Sequence, residues 1–156
     1  MMTIVRRETV LADAPQKLDI RCSLTDVFVR DVQCACVLLY AGELDAPRLA
    51  RALARVLSAF APFAARLRRR AGERFIECGG AGATFTIARS ERTLAATIDR
   101  LDDRDRSELV DTWDGRRAWS SDQPVLSCRV THFVGGGSAL GISWHHAIGD
   151  FQSVIS

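Results

Sequence analysis

The feature of the sequence that most constrains its fold is a predicted β-hairpin near its C-terminal end. An apolar stretch at 125–134 is followed by three consecutive glycines, 135–137, and by a second apolar stretch at 138–144. Glycine adopts the positive φ angles that a tight reversal needs, so the two stretches are expected to pair as antiparallel strands. The second strand leads directly into His145 and His146, and the hairpin would therefore place two histidines at the end of a rigid strand.

The clearest helix in the sequence begins after Asp45. This aspartate is a favourable N-cap, and Pro47 falls within the first turn, where a missing N–H costs nothing. Pro62 helps to end the helix. Apolar residues recur between them at helical spacing: Leu49, Leu53, Val56, Leu57 and Phe60. We expect these side chains to form the buried face of the helix.

The rest of the chain mixes strands and helices without strict alternation. Strands are predicted at 3–11, 32–40, 67–70, 74–78 and 84–88, a short helix at 93–101, and a loop with one helical piece at 102–123. The stretch 32–40 is apolar at nearly every position, which is typical of a strand buried on both faces. Together these elements predict an α/β layered domain, a mixed β-sheet with helices, that occupies residues 1–156.

Composition and charge exclude several classes of protein. Hydrophobic residues make up 47% of the 156, and 21 basic against 19 acidic residues give a net charge of only +2. That balance argues against a nucleic-acid binder that relies on bulk charge. The arginines at 66, 68, 69, 70 and 74 would alternate between the two faces of a strand, so they are interpreted as a solvated edge. No apolar run approaches the roughly 20 residues of a membrane span. Arg6, Arg7 and Glu8 stand where a signal peptide would be apolar, so we expect a cytoplasmic protein with no membrane partner.

The sequence contains five cysteines, at positions 22, 34, 36, 78 and 128. An odd count in a chain without an export signal favours free, mostly buried thiols. Cys34 and Cys36 would lie on the same side of one strand, which is compatible with a metal site. Because no second Cys or His pair stands at ligand spacing, core packing is favoured and no metal is predicted.

The hairpin is followed by His145-His146-Ala147-Ile148-Gly149-Asp150, which is the strongest candidate for a chemical site. Histidine is the side chain best suited to accept a proton near neutral pH, and a strand end before a helix start gives it access to a cleft. The spacing leaves two roles open for Asp150. Its carboxylate could hydrogen-bond an imidazole, or it could hold the turn through an ion pair.

The His145-His146-x-x-x-Asp150 pattern resembles the motif of acyltransferases built on the chloramphenicol-acetyltransferase fold, and the BAHD acyltransferases are the branch most similar to this chain. Ser23-Leu24-Thr25-Asp26 is similar to that family's early Leu-Ser-x-x-Asp segment. Residues 60–67 (FAPFAARL) are similar to its Tyr-Pro-x-Ala-Gly-Arg-Leu phrase, with Ala65 in place of the glycine. The resemblance extends from about Thr9 to residue 156.

The resemblance implies a specific chemistry. His146 would be the general base that takes the proton of an acceptor hydroxyl or amine as it attacks the thioester carbonyl of acyl-CoA. Asp150 would face away from the reaction and pair with an arginine to hold the histidine loop, and His145 would shape the site or contact substrate. Acyl-CoA would be a co-substrate beside a small-molecule acceptor, with no tightly bound cofactor. A covalent acyl-enzyme is not implied, which agrees with the absence of a Gly-x-Ser-x-Gly motif.

The resemblance also implies an incomplete site. Family members have two similar halves, and this chain resembles the first; the Asp-Phe-Gly-Trp-Gly motif of the second is absent. We therefore expect a partner, either the C-terminal half of the same protein or a separate subunit, and the sequence looks cut after 156. Phe151 also replaces the usual glycine after the aspartate. Two alternatives remain open: a peptide-synthetase condensation domain with carrier-bound thioesters, and a non-catalytic binding module that keeps the fold.

Overall fold

The computed structural model describes residues 1–100 and 103–155, in which strands form two sheets. The strands are β1 (Met2–Val10), β2 (Leu18–Arg21), β3 (Gln33–Tyr40), β4 (Arg66–Arg70), β5 (Glu73–Cys78), β6 (Ala83–Ser90), β7 (Leu126–Phe133) and β8 (Ser138–His145). The helices are α1 (Leu24–Phe28), α2 (Ala46–Ala59), α3 (Leu94–Ile98), α4 (Asp103–Glu108) and α5 (Phe151–Ile155). No helix in these ranges is long and apolar enough to cross a membrane.

The larger sheet is mixed, as the sequence predicts. Its strand order is β1-β6-β7-β8-β3, in which β6 and β7 are parallel and all other neighbours are antiparallel. The glycine-turn hairpin is confirmed as the β7–β8 pair, and all three turn glycines have positive φ. Strands β2, β5 and β4 form a second, antiparallel sheet. The prediction of an α/β layered domain with a mixed sheet is confirmed.

The main core lies between α2, the small sheet and one face of the large sheet. Asp45 caps α2 by accepting a hydrogen bond from the backbone N–H of Arg48 at 2.9 Å. Leu53 and Leu57 are buried against this core, as predicted. Val56 and Phe60 are 41% and 50% exposed, because the small side chains of the helix complete its buried face instead; these include Ala46 and Ala54.

Strand β3 differs from the prediction of a strand buried on both faces. It lies at one edge of the large sheet and pairs only with β8, so none of its residues is fully buried. Leu38 and Tyr40 are among its exposed side chains. The lateral position of a strand depends on distant pairing, which an apolar run does not encode. The sequence analysis also missed β2, whose four residues are too short for alternation to be recognised.

The parallel pair β6–β7 requires a crossover connection, and the residues between these strands provide it. The connection contains α3, capped by Thr93, then α4 and a 3-10 turn at Gly115–Trp119. The segment 102–123 was predicted as a loop with one helical piece, and its described part contains two, α4 and the 3-10 turn. Leu109 and Trp119 are buried, because the crossover packs across the sheet. The predicted end of the 93–101 helix, and Asp102, lie outside the described residues.

The arginine cluster is only partly a solvated edge, so that prediction is wrong for Arg66. Its side chain is buried, and its guanidinium donates to the backbone carbonyls of Ala65, Ala81, Gly82 and Asp122. Such a satisfied guanidinium ties three chain segments together without a carboxylate partner. At the more exposed end of β4, Arg68 pairs with Glu77 and Asp122, and Arg70 with Asp19 and Glu77.

The five cysteines are free thiols that pack within or beside the core. Cys78 is buried and the other four are partly buried. Burial raises the pKa of the Cys128 thiol to about 12, and that of Cys22 to about 11, so both remain protonated at neutral pH. Among the described residues, no group of three or more His, Cys, Asp or Glu side chains has the geometry to hold a metal ion.

A substitution at Gly141 tests how closely the crossover packs on the sheet. A Cβ atom at this position would lie 2.0 Å from the backbone carbonyl oxygen of Leu109. We expect Gly141→Ala to lower the free energy of unfolding by about 1–3 kcal/mol in urea denaturation. Gly42→Ala is the matched control, because no atom lies within 4 Å of its added Cβ. Equal effects of the two substitutions would contradict this packing.

Candidate active site

The two histidines lie where β8 ends and the chain turns into a short loop, residues 145–150, which we call the histidine loop. The backbone N–H of His145 donates to Val125 O, and that of His146 donates to Val32 O, both at 2.9 Å. A 3-10 turn, His146–Ile148, follows and leads through Gly149 and Asp150 into α5. The loop is thereby tied to the residues that precede β7 and β3.

His145 is completely buried, with 0% of its surface exposed. Its Nδ1 accepts a hydrogen bond from the backbone N–H of Ala147, and its Nε2 lies 3.2 Å from the carbonyl oxygen of Gly115. Because Nδ1 is an acceptor, the ring proton is on Nε2, which donates to Gly115. Burial lowers the pKa of His145, which favours this neutral form. A ring so enclosed has no face for a substrate, so the predicted substrate contact of His145 does not fit this geometry.

Trp119 provides the wall against which the His145 ring packs. The two rings meet edge to face with centroids 5.7 Å apart, and the Trp119 indole N–H donates to the backbone carbonyl of Arg30. The guanidinium of Arg74 lies over the Trp119 ring, 5.5 Å from its centroid. Sequence analysis placed Trp119 only within the predicted loop at 102–123. Its contact with the motif depends on a crossover whose path the sequence did not reveal.

His146 has the opposite environment. His146 is half-buried, and its imidazole ring makes no hydrogen bond to any other residue in the described part of the chain. The backbone of His146 is nevertheless fixed, by its own N–H to Val32 and by its carbonyl, which accepts from Gly149 N–H at 3.2 Å. The loop therefore holds one imidazole as a buried structural group and leaves the other available to a ligand.

Asp150 caps the helix that follows the loop. Its Oδ1 accepts hydrogen bonds from the backbone N–H of Ser153 at 2.8 Å and from the Ser153 hydroxyl at 2.7 Å. These bonds, the backbone one first, lower the pKa of the Asp150 carboxyl. Within residues 1–100 and 103–155, Asp150 forms no hydrogen bond with His146 and no ion pair with an arginine. These contacts stabilise the junction between the histidine loop and α5. The pairing of Asp150 with an arginine stays a prediction.

Trp144 fixes the far side of the histidine loop. Its ring is buried, and its indole N–H donates to the carbonyl oxygen of Gly149 at 2.9 Å. Phe151, which replaces the glycine expected from the resemblance, lies beside Trp144 with ring centroids 6.2 Å apart and is half-exposed. The bulky side chain is thus accommodated at the surface of the loop without displacing its hydrogen bonds. Sequence analysis predicted the strand at 138–144 that ends at Trp144, but it did not reveal the hydrogen bond from Trp144 to the loop.

This geometry can be compared with known proteins. The family model of the Transferase family matches residues 1–156. The chain belongs to this family, the BAHD acyltransferases. It is 38% identical over 111 residues to hydroxycinnamoyltransferase 2 of Oryza sativa subsp. japonica, a match that covers 68% of this chain and 24% of that protein. The family resemblance drawn from the motif is confirmed.

Solved structures show the same BAHD fold. The chain superposes on vinorine synthase with a TM-score of 0.68 and 20% identity, covering 94% of this chain and 38% of that one. It also superposes on TRI101 of F. graminearum complexed with ethyl coenzyme A, with a TM-score of 0.63 and 14% identity over 85% of this chain and 35% of that one. The chain therefore spans about a quarter of the length of its curated relative and about a third of these structures.

Proposed function

We propose that this chain forms the first half of an acyltransferase that moves an acyl group from acyl-CoA to a hydroxyl or amine, with His146 as the general base. The observation that supports this most strongly is the contrast between the two histidines. His145 is buried and fully bonded, whereas the His146 ring is half-exposed and makes no hydrogen bond to a described residue. A general base needs a free acceptor nitrogen on a fixed backbone, and His146 has both.

In the proposed reaction the His146 ring takes the proton of the acceptor hydroxyl or amine as its oxygen or nitrogen attacks the thioester carbonyl. The tetrahedral oxyanion then collapses, the carbon–sulfur bond breaks, and the protonated ring returns its proton to the leaving thiolate. His145 and Asp150 do not react in this scheme. The first supports the turn through Ala147 and Gly115, and the second caps α5.

The surface next to the histidine loop supports the need for a partner. Helix α1 packs against the 3-10 turn that carries His146, and it exposes Leu24 and Phe28 at 82% and 86%. Exposed apolar side chains of this size mark surfaces that another element covers. We propose that a second half, from the same protein or from another subunit, covers this surface and completes the cleft.

The experiment that tests this function is acyl transfer by the chain combined with a complementary second half from a BAHD relative. We expect thiol release from free acyl-CoA that depends on an added hydroxyl or amine acceptor. Turnover only with a thioester held on a carrier protein would favour the condensation-domain alternative. Binding of the second half without thiol release from either donor would favour the non-catalytic module. TRI101, which has the same fold as this chain, is complexed with ethyl coenzyme A, and this is the reason to test free acyl-CoA first.

A further inference from the structure

Residues 30–32, which we call the α1–β3 connector, hold the backbone of the proposed base. The carbonyl oxygen of Val32 accepts the backbone N–H of His146 at 2.9 Å. The connector itself is a tight turn, in which Val32 N–H donates to Val29 O at 3.1 Å. Any displacement of the connector would therefore move the acceptor that fixes the backbone of His146.

The crossover between β6 and β7 holds this connector through its 3-10 turn. Trp119, at the end of the turn, donates its indole N–H to the carbonyl oxygen of Arg30. Gly115 begins the turn and packs directly on the connector, because a Cβ atom at this position would lie 2.5 Å from the carbonyl oxygen of Asp31. Gly115 O is also the acceptor of the Nε2 proton of His145. One turn of the crossover thus contacts both the connector and the histidine loop.

The indole N–H of Trp119 gives this contact a defined geometry. A buried aromatic ring alone would fill the space beside His145, as a phenylalanine does. The hydrogen bond to Arg30 additionally fixes a distance and a direction between two segments 89 residues apart in the chain. A general base has to lie within hydrogen-bond reach of the proton that it takes, and small displacements of reacting groups are costly.

We propose that Trp119 is a positioning residue of the transfer reaction. Its indole N–H fixes the α1–β3 connector, and the connector fixes His146 through the carbonyl oxygen of Val32. Trp119 is itself buried, so it acts through these backbone contacts and not on the substrate. This inference rests on the proposed function, in which His146 is the general base.

Hydrogen exchange at the His146 amide tests the contact independently of catalysis. In the ¹⁵N-labelled chain, Trp119→Phe keeps an aromatic ring beside His145 but removes the indole donor. We expect exchange of the His146 amide to become about tenfold faster relative to the amides of β6. Trp113→Phe is the matched control, because the Trp113 Nε1 has no hydrogen-bond partner among the described residues. An equal exchange rate in Trp119→Phe and in the unsubstituted chain would overturn the proposal.

Kinetics of the completed enzyme test the link to the reaction. We expect Trp119→Phe to lower kcat about tenfold and to leave KM for acyl-CoA unchanged, because a displaced base is needed for the transition state and not for donor binding. In the His146→Ala background the same substitution should have no effect on kcat, since no imidazole is left to displace. An equal loss in both backgrounds would overturn the proposal, because Trp119 would then act on another part of the enzyme.

A second variant disturbs the same contact and retains Trp119. The added Cβ of Gly115→Ala must displace the Asp31 carbonyl, so we expect faster exchange of the His146 amide and a lower kcat here as well. Unchanged kcat in both variants, beside a large loss in His146→Ala, would overturn the positioning role alone. Failure of the proposed function gives a different result, because His146→Ala would then itself leave kcat unchanged.

Discussion

Replacing His146 by alanine in the completed enzyme should lower kcat by roughly two to four orders of magnitude. The ring is the one group of the histidine loop that combines partial exposure with an unbonded imidazole in the described structure. Without it, the acceptor must lose its proton to water as it attacks the thioester. Binding of acyl-CoA should change little, because the loss falls on a group that acts in the transition state. The measurement is thiol release under saturating donor and acceptor.

The chain offers a matched control for this substitution. His132 is a half-buried residue of β7 whose Nδ1 lies 3.3 Å from the Ser138 hydroxyl, at the end of the hairpin remote from the histidine loop. We expect His132→Ala to leave kcat within a few-fold of the unsubstituted protein. If His146→Ala retained comparable activity and the same unfolding midpoint, His146 would not be the base. The non-catalytic alternative would then gain support.

Local elements of this fold were predictable because their signals lie within a few residues. The Asp45 cap and Pro47 mark the start of α2, and the three glycines mark the β7–β8 turn. In the same way, Gly72, which has a positive φ, marks the reversal between β4 and β5. In each case the residue itself sets the conformation of the backbone next to it, so no distant partner is needed.

The parts that sequence analysis missed depend on partners far along the chain. Arg66 is buried because the backbone carbonyls of Asp122, Ala81 and Gly82 surround its guanidinium, and nothing at positions 66–74 predicts these contacts. The edge position of β3 follows from its pairing with β8 alone. An arginine-rich or apolar segment looks the same in sequence whether these distant contacts form or not.

The candidate site also combines features that local sequence predicts with features that depend on distant contacts. The motif identified the two histidines and the aspartate, but not which imidazole faces outward. Strand alternation offers a partial signal, because His145 continues the series of Gly141 and Ser143 on the face that the crossover covers. The acceptor of its Nε2 proton, Gly115 O, lies 30 residues earlier in that crossover. Only the structure therefore separates the structural histidine from the available one.

Replacing Asp111 by alanine should lower the free energy of unfolding by about 3–5 kcal/mol, the largest effect on stability that we expect from one side chain here. The Asp111 carboxylate is 8% exposed and accepts from Arg129, Arg7, Ser127 and Thr86. Its removal leaves the buried Arg129 charge and two buried hydroxyls without their acceptor. Urea denaturation measures the loss. Arg7→Ala is the control, because Arg7 is 53% exposed and should cost no more than about 1 kcal/mol.

The stability that is lost in Asp111→Ala should decrease as the pH falls. Burial by itself raises the pKa of Asp111, but hydrogen bonds from Ser127 and Arg129 outweigh it, so the pKa lies below the ordinary value. A carboxyl whose pKa is lowered by folding contributes stability above its unfolded pKa of about 3.9, and that contribution disappears as the pH falls through the lower folded value. The difference between the unsubstituted chain and Asp111→Ala should therefore be largest near pH 7 and shrink below about pH 4. A difference that grows on acidification would show that folding raises the pKa of the Asp111 carboxyl instead of lowering it, which would contradict a stabilising ion pair with Arg129.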